Sequence, residues 1–161
     1  MSSTVPTHLE SLTPREAIID VLSRVAIACD LNDLELFNSV WAGEDASAEI
    51  HDGELKALPN LALIRKHIFE MVGPMDTTHN VSNVRVDLKD GANTAFLTAT
   101  SLAQHCPPGR GREPDGPKFL VGGQYSLDLI KDNANEWKIK KFGLKVIWRE
   151  GDPSVMMPKQ H

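Results

Sequence analysis

The order of hydrophobic periods predicts an α+β domain, with three N-terminal helices packed on a sheet built by the second half of the chain. Apolar residues recur mainly at helical spacing before residue 73, and strict alternation replaces that spacing from residue 76 onward. The long strands that follow succeed one another without intervening helices, so the order contains no βαβ units.

Thr13-Pro14-Arg15-Glu16 has the form of a capping box with proline at the first helical position, where its missing N–H costs nothing. Ile18, Leu22, Val25 and Cys29, widened by Ile19 and Ala26, then form the buried stripe of a helix running to about Leu31. Asn32-Asp33 can cap a second short helix through Leu34, Leu36, Phe37, Val40 and Trp41, ended by Gly43. Ala46 to His51 reads as a short strand closed by Asp52-Gly53, and Pro59 to Val72 as a third helix stopped by Gly73-Pro74. Thr78 to Leu88 and Thr94 to Cys106 flank the turn Lys89-Asp90-Gly91-Ala92 and predict a long hairpin. Phe119 to Ile130 and Trp137 to Trp148 predict a second strand pair. Residues 107–117 are rich in proline and glycine and read as a long loop, either a solvated excursion or a functional segment.

A length of 161 residues implies one domain, and 41% hydrophobic with 24% charged residues is the balance of a globular chain. The net charge of −5 disfavours nucleic acid and anionic membrane surfaces as partners. No apolar run approaches the ~20 residues of a spanning helix, and Met1 to Glu10 lacks the form of a signal peptide, so a cytoplasmic location is expected. Cys29 and Cys106 lack a CxxC spacing and fit a reducing compartment.

Asp30 falls at the end of the first helix beside the apolar stripe, where the macrodipole disfavours an acid. Taken alone it reads as a half-exposed helix-end charge. His79 begins one hairpin strand and His105 ends its partner, and pairing about the turn sets His79 opposite Leu102, with His105 a few residues beyond. The two imidazoles can therefore approach one another, and a carboxylate partner would make either an effective acid–base group. His51 at the end of the short strand raises a metal-site alternative, although the histidines show no HxH or HxxxH pair. Cys106 points to the opposite face from His105 and reads as a buried structural thiol. Gly122-Gly123 reads as a bulge or bend in a strand. Tyr125, the only tyrosine, reads as a core phenol or a hydrogen-bond donor to substrate. Trp41, Trp148 and Met156-Met157 read as core or lid material.

Ala28-Cys29-Asp30-Leu31-Asn32-Asp33, Ser39-Val40-Trp41-Ala42, Thr77-Thr78-His79-Asn80-Val81-Ser82-Asn83, Gly123-Gln124-Tyr125-Ser126 and Glu136-Trp137-Lys138-Ile139 follow in an order that resembles the SnoaL-like branch of the nuclear-transport-factor-2-like superfamily. The resemblance covers residues 12–150. It implies a cone-shaped, strongly curved mixed or antiparallel sheet packed against the three helices, with residues 1–11 a flexible N-terminus and 151–161 a tail able to cover a pocket. The site pattern is similar to that of the scytalone dehydratases, which implies catalytic roles for Asp30, His79 and His105, with Asp30 orienting His105 as the base and His79 donating a proton. Two tyrosines of that pattern are replaced here by Cys29 and His51. Together with Tyr125 and Trp41, these are the expected substrate-binding residues. The implied activity is that of a dehydratase, isomerase or cyclase using neither cofactor nor metal on a small oxygenated cyclic metabolite, in a homodimer or homotrimer. A non-catalytic ligand-binding or dimerisation module with the same cavity is the competing expectation.

Overall fold

Helix α1 (Pro14–Leu31) begins where the capping box places it. Thr13 Oγ1 accepts from the Glu16 amide at 3.3 Å, and Glu16 Oε2 accepts from the Thr13 amide at 2.8 Å. The computed structural model describes residues 5–157. After α1 come α2 (Leu34–Asn38), β1 (Ser47–Asp52), β2 (Glu54–Leu58) and a helical segment made of α3 (Leu61–Ile64), a π-helical turn (Arg65–Phe69) and α4 (Glu70–Val72). Four long strands follow: β3 (Asp76–Asp87), β4 (Thr94–Cys106), β5 (Phe119–Lys131) and β6 (Trp137–Gly151), with a final 3₁₀ turn at Pro153–Met156.

The strands form one open mixed sheet in the order β2-β1-β6-β5-β4-β3. Only β1 and β6 run parallel; the other neighbours are antiparallel. One face carries the core. Ile18, Val21 and Leu22 of α1 and Leu36 and Phe37 of α2 are fully buried in the same cluster as Leu97, Leu127, Leu129 and Ile139 of the sheet. The α+β class expected from the sequence is the observed one.

Four local expectations change. The second helix ends at Asn38, and Trp41 instead forms an isolated parallel bridge to Ile139. The third helix starts at Leu61, capped by the Asn60 side chain accepting from the Leu63 amide at 3.0 Å, and widens into a π turn. Gly53, at a φ of 76°, folds the chain into a further strand, β2, that the sequence did not announce. In the long hairpin His79 pairs with Ala103, one residue from the expected Leu102, and the register shifts again between Ser82 and Arg85 around Asn83, whose φ is 52°. That one-residue difference has a consequence for chemistry: Ala103 and His105 share a face, so His79 and His105 do too.

Arg24 ties the first helix to what surrounds it. Its guanidinium donates to Asp20 Oδ2 at 2.8 Å, to the Thr7 carbonyl at 2.9 Å and to Ser39 Oγ at 2.9 Å, while the residue is only 9% exposed. Arg24→Ala leaves those acceptors without their donor, and the expected loss is about 3 kcal/mol, the scale of a broken buried ion pair. Denaturant unfolding of the two proteins measures it, and an equal midpoint would contradict the assignment.

Candidate active site

Helix α1 runs along β3, the edge strand on that side of the sheet, and brings its last turn to the strand's beginning. Its end is fixed by Asn32, whose left-handed φ of 53° ends the helix. Gly73 packs against that cap so closely that a Cβ there would lie 2.5 Å from Asn32 Oδ1. Asp30 is thereby held over Thr77 and His79, alternate residues on one face of β3.

The Asp30 carboxylate is satisfied on both oxygens. Oδ1 accepts from His79 Nδ1 at 2.6 Å and from Thr77 Oγ1 at 2.7 Å, and Oδ2 accepts from the His79 amide at 2.9 Å. An edge strand has outward N–H groups without a ladder partner, and Asp30 takes one of them. Burial raises the carboxyl pKa, but the hydrogen bonds from the His79 side chain, the His79 backbone and Thr77 outweigh it and hold the group below its ordinary value of 3.8. These same bonds offset the unfavourable macrodipole at the helix C-terminus.

His105 lies at right angles to His79, with ring centroids 5.5 Å apart, and is only 5% exposed. Its Nδ1 is 3.2 Å from the Phe119 carbonyl oxygen, which can only accept, so Nδ1 carries the proton and Nε2 presents a lone pair. Burial and the charge of His79 lower its pKa from 6.5, against the raising effects of the Phe119 hydrogen bond and Asp30. His105 is thus a neutral imidazole at neutral pH. By the same reasoning the ionised Asp30 fixes the His79 proton on Nδ1 and leaves Nε2 basic.

The expected pairing of Asp30 with His105 is therefore corrected: the carboxylate is bonded to His79. The reason is topological, since α1 lies against β3, whereas His105 belongs to the next strand and turns its Nδ1 to β5. His51 is a second correction. Ala48 is buried and Ile50 packs on the core, so alternation sends Glu49 and His51 to the opposite face of the sheet. There His51 lies 3.7 Å from Glu49, half exposed, in a polar cleft of about 760 Å³ shared with Gln124, Ser126, Lys141 and Lys145.

Tyr125 is on the core face, 5.1 Å from Phe142 between ring centroids. Burial pushes its phenol up to about 12, with the Ser101 hydroxyl opposing and Cys29 and Asp30 adding to the rise. It is accordingly protonated at neutral pH. Cys29 is buried at 4% exposure, and burial followed by the Asp30 charge pushes its thiol up to about 12, which makes it packing material and no nucleophile. Trp41 is 5% exposed and packed against Phe37 and Phe142, with its indole N–H unpartnered among the described residues. Cys106 is buried, as expected of a structural thiol. Among the described residues no group of three or more His, Cys, Asp or Glu is placed to hold a metal ion. Nor is any described helix long and apolar enough to cross a membrane.

Two polar residues on this face had not been singled out. Thr77 was legible as the residue two before His79, and Ser101 as a hydroxyl in the buried series Leu97, Ala99, Ser101, Ala103, His105. The loop 107–118 also contributes. Asp76 accepts from the Gly109 and Gly111 amides at 3.1 and 2.7 Å, and Gly111 borders a cleft of about 220 Å³ that Asp30, Thr77 and Gln104 also line. At the other end of the chain, Val155 is buried and Met156 packs on the core, while residues 158–161 of the expected lid lie outside the described residues.

Comparison with known proteins bears on the family and the fold. The sequence profile of the SnoaL-like domain matches residues 10–143. The chain is 35% identical over 150 residues to terrestric acid biosynthesis cluster protein E of Penicillium crustosum, covering 90% of this chain and 93% of that one. Among solved structures, a protein of Novosphingobium aromaticivorans named provisionally for scytalone dehydratase superposes with a TM-score of 0.70 at 20% identity, over 86% of this chain and 87% of its own. A hexachlorocyclohexane dehydrochlorinase of Novosphingobium barchaimii superposes with a TM-score of 0.65 at 18% identity, over 86% of this chain and 90% of its own. With the profile matched over most of its length and a relative 35% identical along nearly the whole chain, the chain belongs to the SnoaL-like family of the nuclear-transport-factor-2-like superfamily.

Proposed function

We propose that the chain is an acid–base enzyme, a lyase or isomerase needing no cofactor, that acts on a small oxygenated metabolite of a biosynthetic cluster. The observation that carries this is the 2.6 Å bond between an ionised Asp30 and His79 Nδ1, set 5.5 Å between ring centroids from a neutral second imidazole. A structural ion pair has no use for the second imidazole. The cluster relative and the dehydratase and dehydrochlorinase named among the solved folds support the same reading.

In the proposed reaction His79 Nε2 removes a proton from a carbon next to a carbonyl, and Asp30 stabilises the imidazolium that forms. Tyr125, protonated at neutral pH, donates to the oxygen on which the enolate charge develops. His105 Nε2 accepts from a substrate hydroxyl and orients it. The His79 imidazolium then gives its proton to a hydroxyl leaving from the adjacent carbon, which releases water, or to another carbon, which gives an isomer.

The test is to screen cyclic hydroxyketones for thermal stabilisation and to incubate the hits with enzyme in deuterium oxide. Deuterium at the carbon next to the carbonyl, together with loss of water or a shifted double bond, is the expected result. Tight binding of every hit with neither exchange nor product would replace this reading by the non-catalytic binding module.

A further inference from the structure

We propose that Thr77 is a positioning residue that fixes the plane of the Asp30 carboxylate on His79, a role that rests on the acid–base reading above. A carboxylate turns easily about its Cβ–Cγ bond, because such terminal torsions are broad. One bond to an imidazole therefore leaves its plane free. The packing of α1 on β3 brings Asp30 to His79, but the plane of its carboxylate still has to be set for Oδ1 to meet Nδ1.

Thr77 and His79 together set it. The His79 amide holds Oδ2 at 2.9 Å and the Thr77 hydroxyl holds Oδ1 at 2.7 Å, so both oxygens are tied to one strand at positions whose separation the backbone fixes. With the plane set, Oδ1 also meets His79 Nδ1 at 2.6 Å. Thr77 is moreover the cross-strand partner of His105, so its side chain is the immediate neighbour of His105 on that face. The hydroxyl has one proton, and the carboxylate uses it. Nothing else in the described structure bonds to Thr77 Oγ1, so its hydrogen bond serves the dyad alone.

Thr77→Val keeps the branched shape on the strand and removes only the donor; Thr77→Ser keeps the donor and removes a methyl. The readout is the His79 Nδ1 proton, followed by nitrogen-edited magnetic resonance on the folded protein without substrate. Its solvent exchange is expected to quicken about tenfold in Thr77→Val, the scale of one hydrogen bond to a charged group, and to return to the original rate in Thr77→Ser. Where turnover is available, kcat falls about tenfold in Thr77→Val with KM within about twofold, the mark of a group needed in the reaction and not for binding. Thr77→Ala replaces Thr77→Val if thermal unfolding shows the valine protein to be misfolded. Unchanged exchange in Thr77→Val, or failure of serine to restore it, overturns the proposal. These resonances need no substrate, so they decide the role of Thr77 separately from the enzyme assignment, which falls instead if no bound hydroxyketone shows exchange or product.

Discussion

Turnover of His79→Gln is expected to fall by about a thousandfold, within the range that general acid–base groups contribute, with folding retained. Glutamine fills much of the same volume and its amide can still donate to Asp30, so the 2.9 Å bond from the residue 79 backbone survives. What is lost is a nitrogen that can take and return a proton. Asp30→Asn gives the complementary result. The asparagine amide can accept on one atom only and its NH₂ opposes the His79 and Thr77 donors, so the imidazole flips its tautomer or turns away. A loss of about a hundredfold is expected. Measuring kcat and kcat/KM for both variants on one substrate decides the matter. If His79→Gln retained turnover while His105→Gln abolished it, the base would be His105 and the pairing geometry would be incidental to catalysis.

How that assignment became visible shows what a sequence holds. The capping box at Thr13 to Glu16 and the alternation of β4 are local signals, and both elements form where their residues demand. The hairpin also brought His79 and His105 into one neighbourhood on turn geometry alone. The identity of the carboxylate's partner was not local. It depends on α1 lying along the edge strand β3, which is decided by how the helices cover the sheet. His51 is the opposite case, because the parity that removes it from the site was already written in Ala48 and Ile50 on either side of Glu49. A strand with an apolar series on alternate positions sends the intervening residues to the other face whatever the fold. The missed strand β2 had no such pattern: Glu54 to Ala57 are all exposed, so no buried face marked it.

A first stage of acid sensitivity is expected to begin just below pH 6.5 and to be absent from His105→Gln. His105 is held neutral by burial and by the charge of His79, so its folded pKa lies below the ordinary 6.5. Between those two values the unfolded chain binds the proton and the folded protein does not, so stability rises with pH across that window. The contribution of His105 is therefore complete above about pH 6.5 and is lost as pH falls through the folded value. Asp30 acts in a separate and lower window, since its folded pKa is below 3.8, and its contribution disappears only as pH falls through that depressed value. Thermal midpoints between pH 7 and pH 3 should accordingly decline in two stages for the native chain, and His105→Gln should remove the first stage while keeping the second. The same substitution is expected to lower turnover about a hundredfold, because the flexible amide does not hold its acceptor oxygen where the imidazole ring fixes Nε2 beside His79, and a misplaced orienting group costs on that scale. A buried imidazole that weakens the protein in acid and is needed for turnover is held for its chemistry. If His105→Gln instead lowered stability at every pH and left turnover intact, His105 would be a packing residue, and Asp30 with His79 would have to perform the reaction alone.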